Sequence, residues 1–328
     1  MKPVVWGVLS VSSHYRLRVH TNLRKSPLLE MRAIASRSQE KAREAAAELG
    51  ITKACGSYEE LLADREIEAV YIPLPHHLHA EWVKKAADAG KHVLCEKPFA
   101  MDAREADEAI GHAERKGVLV MEAFMYRFHP QWQRAWELVR AGEIGEVHTV
   151  HTDFSYMLQD PKNICNILGA GGGGILDIGC YAVSCARFLI GREPVRALSL
   201  VHRDPEFKTD ILSSGILDFG TARSVFTVGT QTHPRQRVDV IGSEGEIAIP
   251  LPFNAFPDVP AQITVTTAIA PRTIYLPVTD QYTVMFEAFS RAIRDGGPVP
   301  FPPRDAIDNM AALDALFRSE KSVAWEKI

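Results

Sequence analysis

Short apolar runs alternate with helical patterns over the first third of the chain. "VVWGVL" (4–9), "LEMRAIAS" (29–36), "AVYIPL" (69–74), "HVLCE" (92–96) and "VLVMEAF" (118–124) have the length and apolar content of strands. Between them the pattern becomes helical. "SQEKAREAAAELG" carries Ser38 as an N-cap and Gly50 as a stop, "SYEE" (57–60) is a capping box, and "DAREADEAIGHAERKG" begins at Asp102 and ends at Gly117. Strand–helix alternation at this spacing predicts a parallel, doubly wound sheet, an α/β dinucleotide-binding domain over residues 1–124.

Beyond residue 125 the rhythm changes. One helix, "PQWQRAWELVRAG", and a helical run after Gly173 are followed mainly by strands: "VRALSLVH", "ILSSGILDF", "ARSVFTVGTQT", "RVDVIGSEGEIAI", "QITVTTA" and "RTIYLPV", with "EVHTVHTDFSYM" preceding them. "VDVIG" and "GEIAI" around "SEG" read as a hairpin. Consecutive strands predict an α+β domain over 125–328 with a large, mostly antiparallel open sheet, closed by helices at 282–297 and 304–323.

The 328 residues suit two domains, and 46% apolar with 24% charged residues is ordinary for a globular enzyme. A net charge of −4 without a basic stripe argues against nucleic acid and anionic membranes as partners. No apolar run has the length of a membrane span, and the N-terminus lacks signal-peptide anatomy. Five cysteines form no CxxC pair and read as reduced thiols, which places the protein in the cytoplasm.

In a dinucleotide-binding unit the first strand turns into a helix through G-x-G-x-x-G, with the pyrophosphate on the helix N-terminus. The turn here is "WGVLSVSSHYRLRV": Gly7 is present, but the fingerprint positions hold Ser10, Ser12 and Tyr15. Serine is small enough for close approach and brings a hydroxyl. Tyrosine at the third position, where helix packs on strand, also fits a plain βα unit without cofactor. At the end of the second strand an NAD-selective site usually places an acid on the ribose diol. This chain has Ser36 and Arg37, with Lys41 one turn on. A guanidinium pairs with a 2′-phosphate, so the expected cofactor is NADP(H) in preference to NAD(H).

Strand ends line the ligand crevice of such a sheet. Glu96, Lys97 and Pro98 close the run "HVLC", and charge is placed at such a position only if it is paired or used. Proline forces Lys97 out of the helical region and permits a cis bond. In "GGGGILDIGCY", four glycines allow close backbone packing, and Asp177 and Tyr181 share a helix face. Tyr181 reads equally as a packing aromatic. "HHLH" (76–79) lacks cysteine or carboxylate partners at zinc spacing, so no metal is expected and a crevice-lining role suits it better. Arg127 and His129 follow the run at 118–124 and reach the same crevice or pack internally.

"CEKPFAM", "EAFMYRFHPQ" and "GGGGILDIGCY" together resemble the Gfo/Idh/MocA oxidoreductases, and "WGVLS" resembles a branch with aldose dehydrogenases, glucose–fructose oxidoreductase and dimeric dihydrodiol dehydrogenases. The resemblance runs to "NMAALDALFRSEKS". It implies a nicotinamide-binding Rossmann domain, a second domain whose open sheet often mediates dimers, and catalytic roles for Lys97, Asp177 and Tyr181. Cys165 stands where relatives often carry arginine.

The expected cofactor-binding set is therefore Gly7, Ser10, Ser12, Ser13, Ser36, Arg37, Lys41, Pro75, His79, Glu96 and Lys97. Arg127, His129 and Tyr156 form the expected substrate set. The expected substrate is a sugar, polyol or trans-diol, and the expected assembly a homodimer or homotetramer. A free tyrosine titrates near ~10, so service as a base at neutral pH needs about 3 to 4 kcal/mol of stabilisation of the phenolate. One ammonium at about 4 Å in an effective dielectric of ~20 supplies about that much. Lys97 would thus activate Tyr181, and Asp177 would orient the substrate or the lysine. Two rivals remain open from sequence: a nucleotide-binding regulator without turnover, and a hydrolase that recycles its cofactor.

Overall fold

The computed structural model describes residues 2–328 and divides into two compact units. The first comprises residues up to Met125 together with Tyr282–Ile307; the second comprises Tyr126–Gln281 and Asp308–Ile328.

In the first unit six parallel strands form one sheet: β1 (Val4–Val8), β2 (Leu29–Ala35), β3 (Lys53–Cys55), β4 (Ala69–Ile72), β5 (His92–Cys95) and β6 (Val120–Glu122), in the order β3-β2-β1-β4-β5-β6. The chain winds one way from β1 and the other way from β4. The switch point lies between these two strands, where a doubly wound sheet opens its ligand crevice. Connecting helices are α1 (His20–Leu23), α2 (Gln39–Leu49), α3 (Tyr58–Leu62), α4 (His79–Asp88) and α5 (Ala103–Arg115). Ser38, Ser57 and Asp102 cap α2, α3 and α5 by accepting from the N–H three residues on. Each cap stabilises its helix by about 1 kcal/mol.

The segment 282–307 was expected in the second domain but belongs to the first unit. The reason is aromatic packing by α8 (Gln281–Asp295): Phe286 and Phe289 lie 4.8 and 5.8 Å from the Trp6 ring. Arg294 adds a two-pronged ion pair to Glu68 at 2.6 and 2.7 Å.

The second unit is built on nine strands: β7 (Val147–Met157), β8 (Arg196–Arg203), β9 (Asp210–Asp218), β10 (Arg223–Gly229), β11 (Gln231–Gly242), β12 (Gly245–Ile249), β13 (Ala261–Thr267), β14 (Pro271–Leu276) and β15 (Glu326–Lys327). Their order is β14-β13-β12-β11-β7-β10-β9-β8-β15, antiparallel throughout except for the parallel pair β7–β10. Helices α6 (Pro130–Arg140), α7 (Cys180–Ile190) and most of α9 (Arg304–Ser322) belong to this unit. Contrary to the sequence expectation, one stretch, Leu168–Ile190, is long and apolar enough to cross a membrane; 83% of its apolar window is buried within the protein. It is the core segment that carries the glycine run and α7.

Candidate functional site

In the first unit the crevice edge begins at the turn after β1. Gly7 is not part of that turn, contrary to expectation. It lies within β1, where an added Cβ would come within 2.5 Å of a Leu61 methyl, so its smallness serves strand–helix packing. The turn itself is organised by its serines. The Ser10 hydroxyl accepts from Ser12 N–H at 3.0 Å, and the Ser12 hydroxyl accepts from Tyr15 N–H at 3.3 Å. Each hydroxyl keeps its own proton to donate. Ser13 is exposed at the start of the following helix.

Tyr15 opens a π-helical stretch, Tyr15–Val19. The i→i+5 spacing of that stretch sets residue 20 beneath residue 15. His20 N–H donates to the Tyr15 carbonyl, and the Tyr15 hydroxyl lies 2.9 Å from His20 Nδ1. The large residue at the third fingerprint position is thus fully buried, with its hydroxyl satisfied.

At the end of β2, Ser36 is buried and its hydroxyl accepts from Ser38 N–H at 3.3 Å. Arg37 is exposed, and no ion pair engages it among the described residues. Lys41 lies one turn further along α2. It lines an open hollow with Val11, Arg16, Glu44, Ala45 and Glu48, in which Arg16 pairs with Glu48.

The end of β5 resolves the oddity of a charged strand terminus. Glu96 is buried but well supplied: the Tyr71 hydroxyl donates to it at 2.5 Å, and His14 Nε2 stands 3.5 Å away. Burial by itself would raise its pKa, yet His14, Lys97 and Tyr71 outweigh burial and hold it down at about 2. Lys97 follows, half-buried, and the Lys97–Pro98 bond is cis.

The loop carrying the lysine is fixed by its neighbours. Glu96 N–H donates to Ile72 O at 3.2 Å, and Phe99 N–H donates to the Glu122 carboxylate at 2.8 Å. His79 is fully buried, with one ring nitrogen 2.8 Å from Pro98 O and the other 2.8 Å from Leu74 O. Burial lowers its pKa. This geometry replaces the cofactor contact expected of His79: the neutral ring fills the space between two strand ends and donates to one of the two carbonyls. Pro75 is half-buried and precedes the short 3-10 turn His76–Leu78.

The second unit holds its candidates around the start of α7. Asp177 lies in a second π-helical stretch, Ile175–Gly179, and its carboxylate accepts from the Tyr156 hydroxyl of β7 at 2.5 Å. Burial, then the adjacent carboxylate, raises the Tyr156 pKa far above its usual value, so this phenol stays a donor. The Cys165 thiol approaches the same oxygen at 3.6 Å. Tyr181, on the first turn of α7, packs its ring against Phe253 (5.0 Å), Phe154 (5.6 Å) and Tyr126 (5.8 Å). A ring clamped on this many sides keeps its phenol oxygen in one place.

Arg127 and His129 have internal roles instead of the expected substrate contacts. Arg127 is buried and donates to the Ser184 hydroxyl at 2.8 Å and the Tyr126 hydroxyl at 3.3 Å, gripping α7. His129 is fully buried and caps α6, its Nδ1 accepting from Gln131 N–H at 3.2 Å; burial lowers its pKa to about 4. Sequence reading missed Tyr71, Glu122 and Asp210. Of these only Glu122 had a signal, an acid closing an apolar strand as Glu96 does.

A doubly wound parallel sheet with its crevice at β1 and β4 is the layout of a dinucleotide-binding domain. Residues 7–124 match the oxidoreductase family with an NAD-binding Rossmann fold, and residues 132–248 match the GFO/IDH/MocA C-terminal domain. The chain belongs to the Gfo/Idh/MocA oxidoreductases, as its sequence motifs suggested. It is 40% identical to a D-xylose 1-dehydrogenase (NADP(+)) of Haloferax volcanii, over 90% of this chain and 91% of that one. It is 36% identical to a trans-1,2-dihydrobenzene-1,2-diol dehydrogenase of Xenopus tropicalis over 66% of each chain. Among solved structures, a 3-ketoreductase from Actinomadura kijaniata in complex with NADP and TDP-benzene superposes with a TM-score of 0.91 at 27% identity, covering 97% of this chain and 98% of that one.

Proposed function

We propose that this oxidoreductase uses NADP(H) to interconvert a secondary alcohol and a carbonyl on a sugar, polyol or trans-diol. The observation that carries the reading is the Asp177 carboxylate gripped by Tyr156, with the clamped Tyr181 ring four residues further along the chain. NADP(H) is favoured by the exposed Arg37 and by the absence of any acid over residues 35–38; the xylose dehydrogenase relative and the ketoreductase structure both carry NADP in their descriptions.

The turn at Ser10, Ser12 and Ser13 suits a pyrophosphate, with hydroxyl protons and helix-start amides as donors, and Arg37 and Lys41 suit a 2′-phosphate. When bound, the nicotinamide supplies the hydride acceptor or donor. Tyr181 takes the proton of the substrate hydroxyl during oxidation and returns it to the carbonyl oxygen during reduction. Lys97 supplies a fixed positive charge for the developing charge on the substrate oxygen. Asp177, oriented by Tyr156, positions the substrate. A homodimer or homotetramer is supported by the exposed Leu200, Leu212 and Val225 of β8, β9 and β10, and a cytoplasmic site by five free cysteines.

A spectrophotometric screen of aldoses, polyols and trans-diols with NADP⁺ and NAD⁺ tests the reading. Net NADPH formation in proportion to substrate consumed is expected. Substrate conversion without net NADPH would mean cofactor recycling, and nucleotide binding without any turnover would mean a regulator; either outcome sinks the proposal.

A further inference from the structure

The glycine run before Asp177 meets a carboxylate from far along the chain. Asp210, the first residue of β9, is buried, and its Oδ2 accepts from Ile175 N–H at 2.6 Å. Ile175 is the first residue of the π-helical stretch that contains Asp177, and Asp177 N–H donates in turn to Gly173 O at 3.0 Å. Gly173 has φ 121°, a conformation that favours glycine, and a Cβ there would collide with Asp210 Oδ1. A second donor reaches the carboxylate from its own strand, Ser213 Oγ to Oδ2 at 3.1 Å. Thus the glycines open a space that the Asp210 carboxylate fills, at the helix start where negative charge is favoured and the first N–H groups lack partners within the helix.

We propose that Asp210 is a positioning residue for the reaction: in its ionised form it anchors the start of the segment that presents Asp177 and Tyr181. The inference rests on the catalytic reading of those two residues. It deepens that reading by adding a group that touches neither substrate nor cofactor. The ionised state is sensitive to conditions. Burial raises the Asp210 pKa to about 6, against the lowering effect of Ile175 N–H, the Ser213 hydroxyl and the Arg203 guanidinium of β8, which is itself paired with Glu320 of α9. Protonation within the assay range would therefore loosen the anchor. On the proposed function a phenol base acts on the alkaline side of the profile, so the two effects separate.

The experiment is the pH profile of kcat from pH 5 to 9 in the full-length protein, with NADP(H) affinity measured beside it. The parent should lose activity on an acid limb near pH 6. Asp210→Asn keeps an acceptor for Ile175 N–H without the charge. It should bind NADP(H) as the parent does, show kcat reduced about tenfold at pH 8, and lose the acid limb. Ser213→Ala removes one donor, and because it is a milder change it carries the test even if Asp210→Asn fails to fold. Its acid limb should move upward by about half a pH unit or more, which a merely structural role would not cause. A Ser213→Ala limb that stays where the parent's lies, or an Asp210→Asn enzyme with the parent's kcat and acid limb, overturns the proposal. Failure of the underlying reading looks different. If Tyr181→Phe turns over like the parent while the Ser213→Ala limb still moves, Asp210 anchors the segment but Tyr181 is not the base.

Discussion

The two units hold their candidate residues by opposite means. In the first, Lys97 sits at the end of a central parallel strand, and nearly everything that fixes it belongs to strand ends: Ile72 after Tyr71, Glu122, and the Leu74 and Pro98 carbonyls on either side of His79. In the second, Asp177 and Tyr181 sit on a helix whose start is irregular, and what fixes them comes from distant strands: Tyr156 on β7 and Asp210 on β9. Strand ends are rigid because the backbone ladder continues up to them. A helix start leaves N–H groups unmet and needs partners brought from elsewhere. On the proposed function this contrast becomes a division of labour, with cofactor choice and a fixed charge assigned to the first unit and the phenol to the second.

The sharpest way to break that division is at the phenol. Tyr181→Phe keeps the aromatic cluster and removes only the ionisable oxygen. It should lower kcat by about 10² to 10⁴ while NADP(H) binding and the unfolding midpoint stay near the parent values. Lys97→Met should lower kcat on the proposed reading, because the fixed charge offered to the developing substrate oxygen is gone. Both are read from pH–rate profiles with cofactor binding checked in each variant. A Tyr181→Phe enzyme as fast as the parent would remove the base from the second unit.

A smaller effect tests the first unit alone. Arg37→Ala should weaken NADP(H) by about 1.5 to 3 kcal/mol and NAD(H) hardly at all, with kcat at saturating cofactor unchanged. Fluorescence titration with both nucleotides reads this directly. Equal losses for the two would mean that Arg37 does not meet the 2′-phosphate.

The same contrast governs how much could be read from sequence. Five of the first unit's six strands were visible as apolar runs, and Glu96–Lys97 stood out because charge at the end of a buried strand needs a reason. β3 was missed, since three residues at a sheet edge carry no periodicity. Gly7 was misread because a glycine near a fingerprint looks the same whether it serves a nucleotide or Leu61. In the second unit the glycine run and the Asp–Tyr pair were legible, but their support was not. Asp210 lies 35 residues from Ile175, and Tyr156 lies 21 from Asp177. The π-helical stretches also left no mark, since an i→i+5 bond changes spacing without changing residue type. The return of α8 to the first unit depends on Trp6 meeting Phe286, a partnership that helical periodicity alone cannot specify.

The smallest effect expected is on stability, and its sign should differ between the units. In the first, the Arg294 guanidinium beside Glu68 leads the forces that hold that carboxyl down at about 2. A depressed carboxylate contributes stability that is present above the unfolded pKa, near 4.5, and is lost as the pH falls towards 2. In the second, burial raises Asp210 to about 6 from 3.8. Its contribution is present below about 4 and is lost as the pH rises through 6, because the ionised form is the one that burial penalises. Glu68→Gln should therefore destabilise the protein at pH 7 by about 1 to 2 kcal/mol, less than the pKa alone implies because the side chain is 31% exposed and partly screened. The difference should shrink as the pH falls below 4.5 and be lost only towards pH 2. Asp210→Asn should do the reverse, raising the unfolding midpoint at pH 8 by an amount worth about 1 to 2 kcal/mol and leaving it unchanged near pH 4. Gained stability with lost activity is the expected signature of a buried charge kept for positioning. Thermal unfolding of both variants from pH 3.5 to 8 checks it, and destabilisation by Asp210→Asn at pH 8 would show that the charged hydrogen bond to Ile175 outweighs the cost of burying the carboxylate.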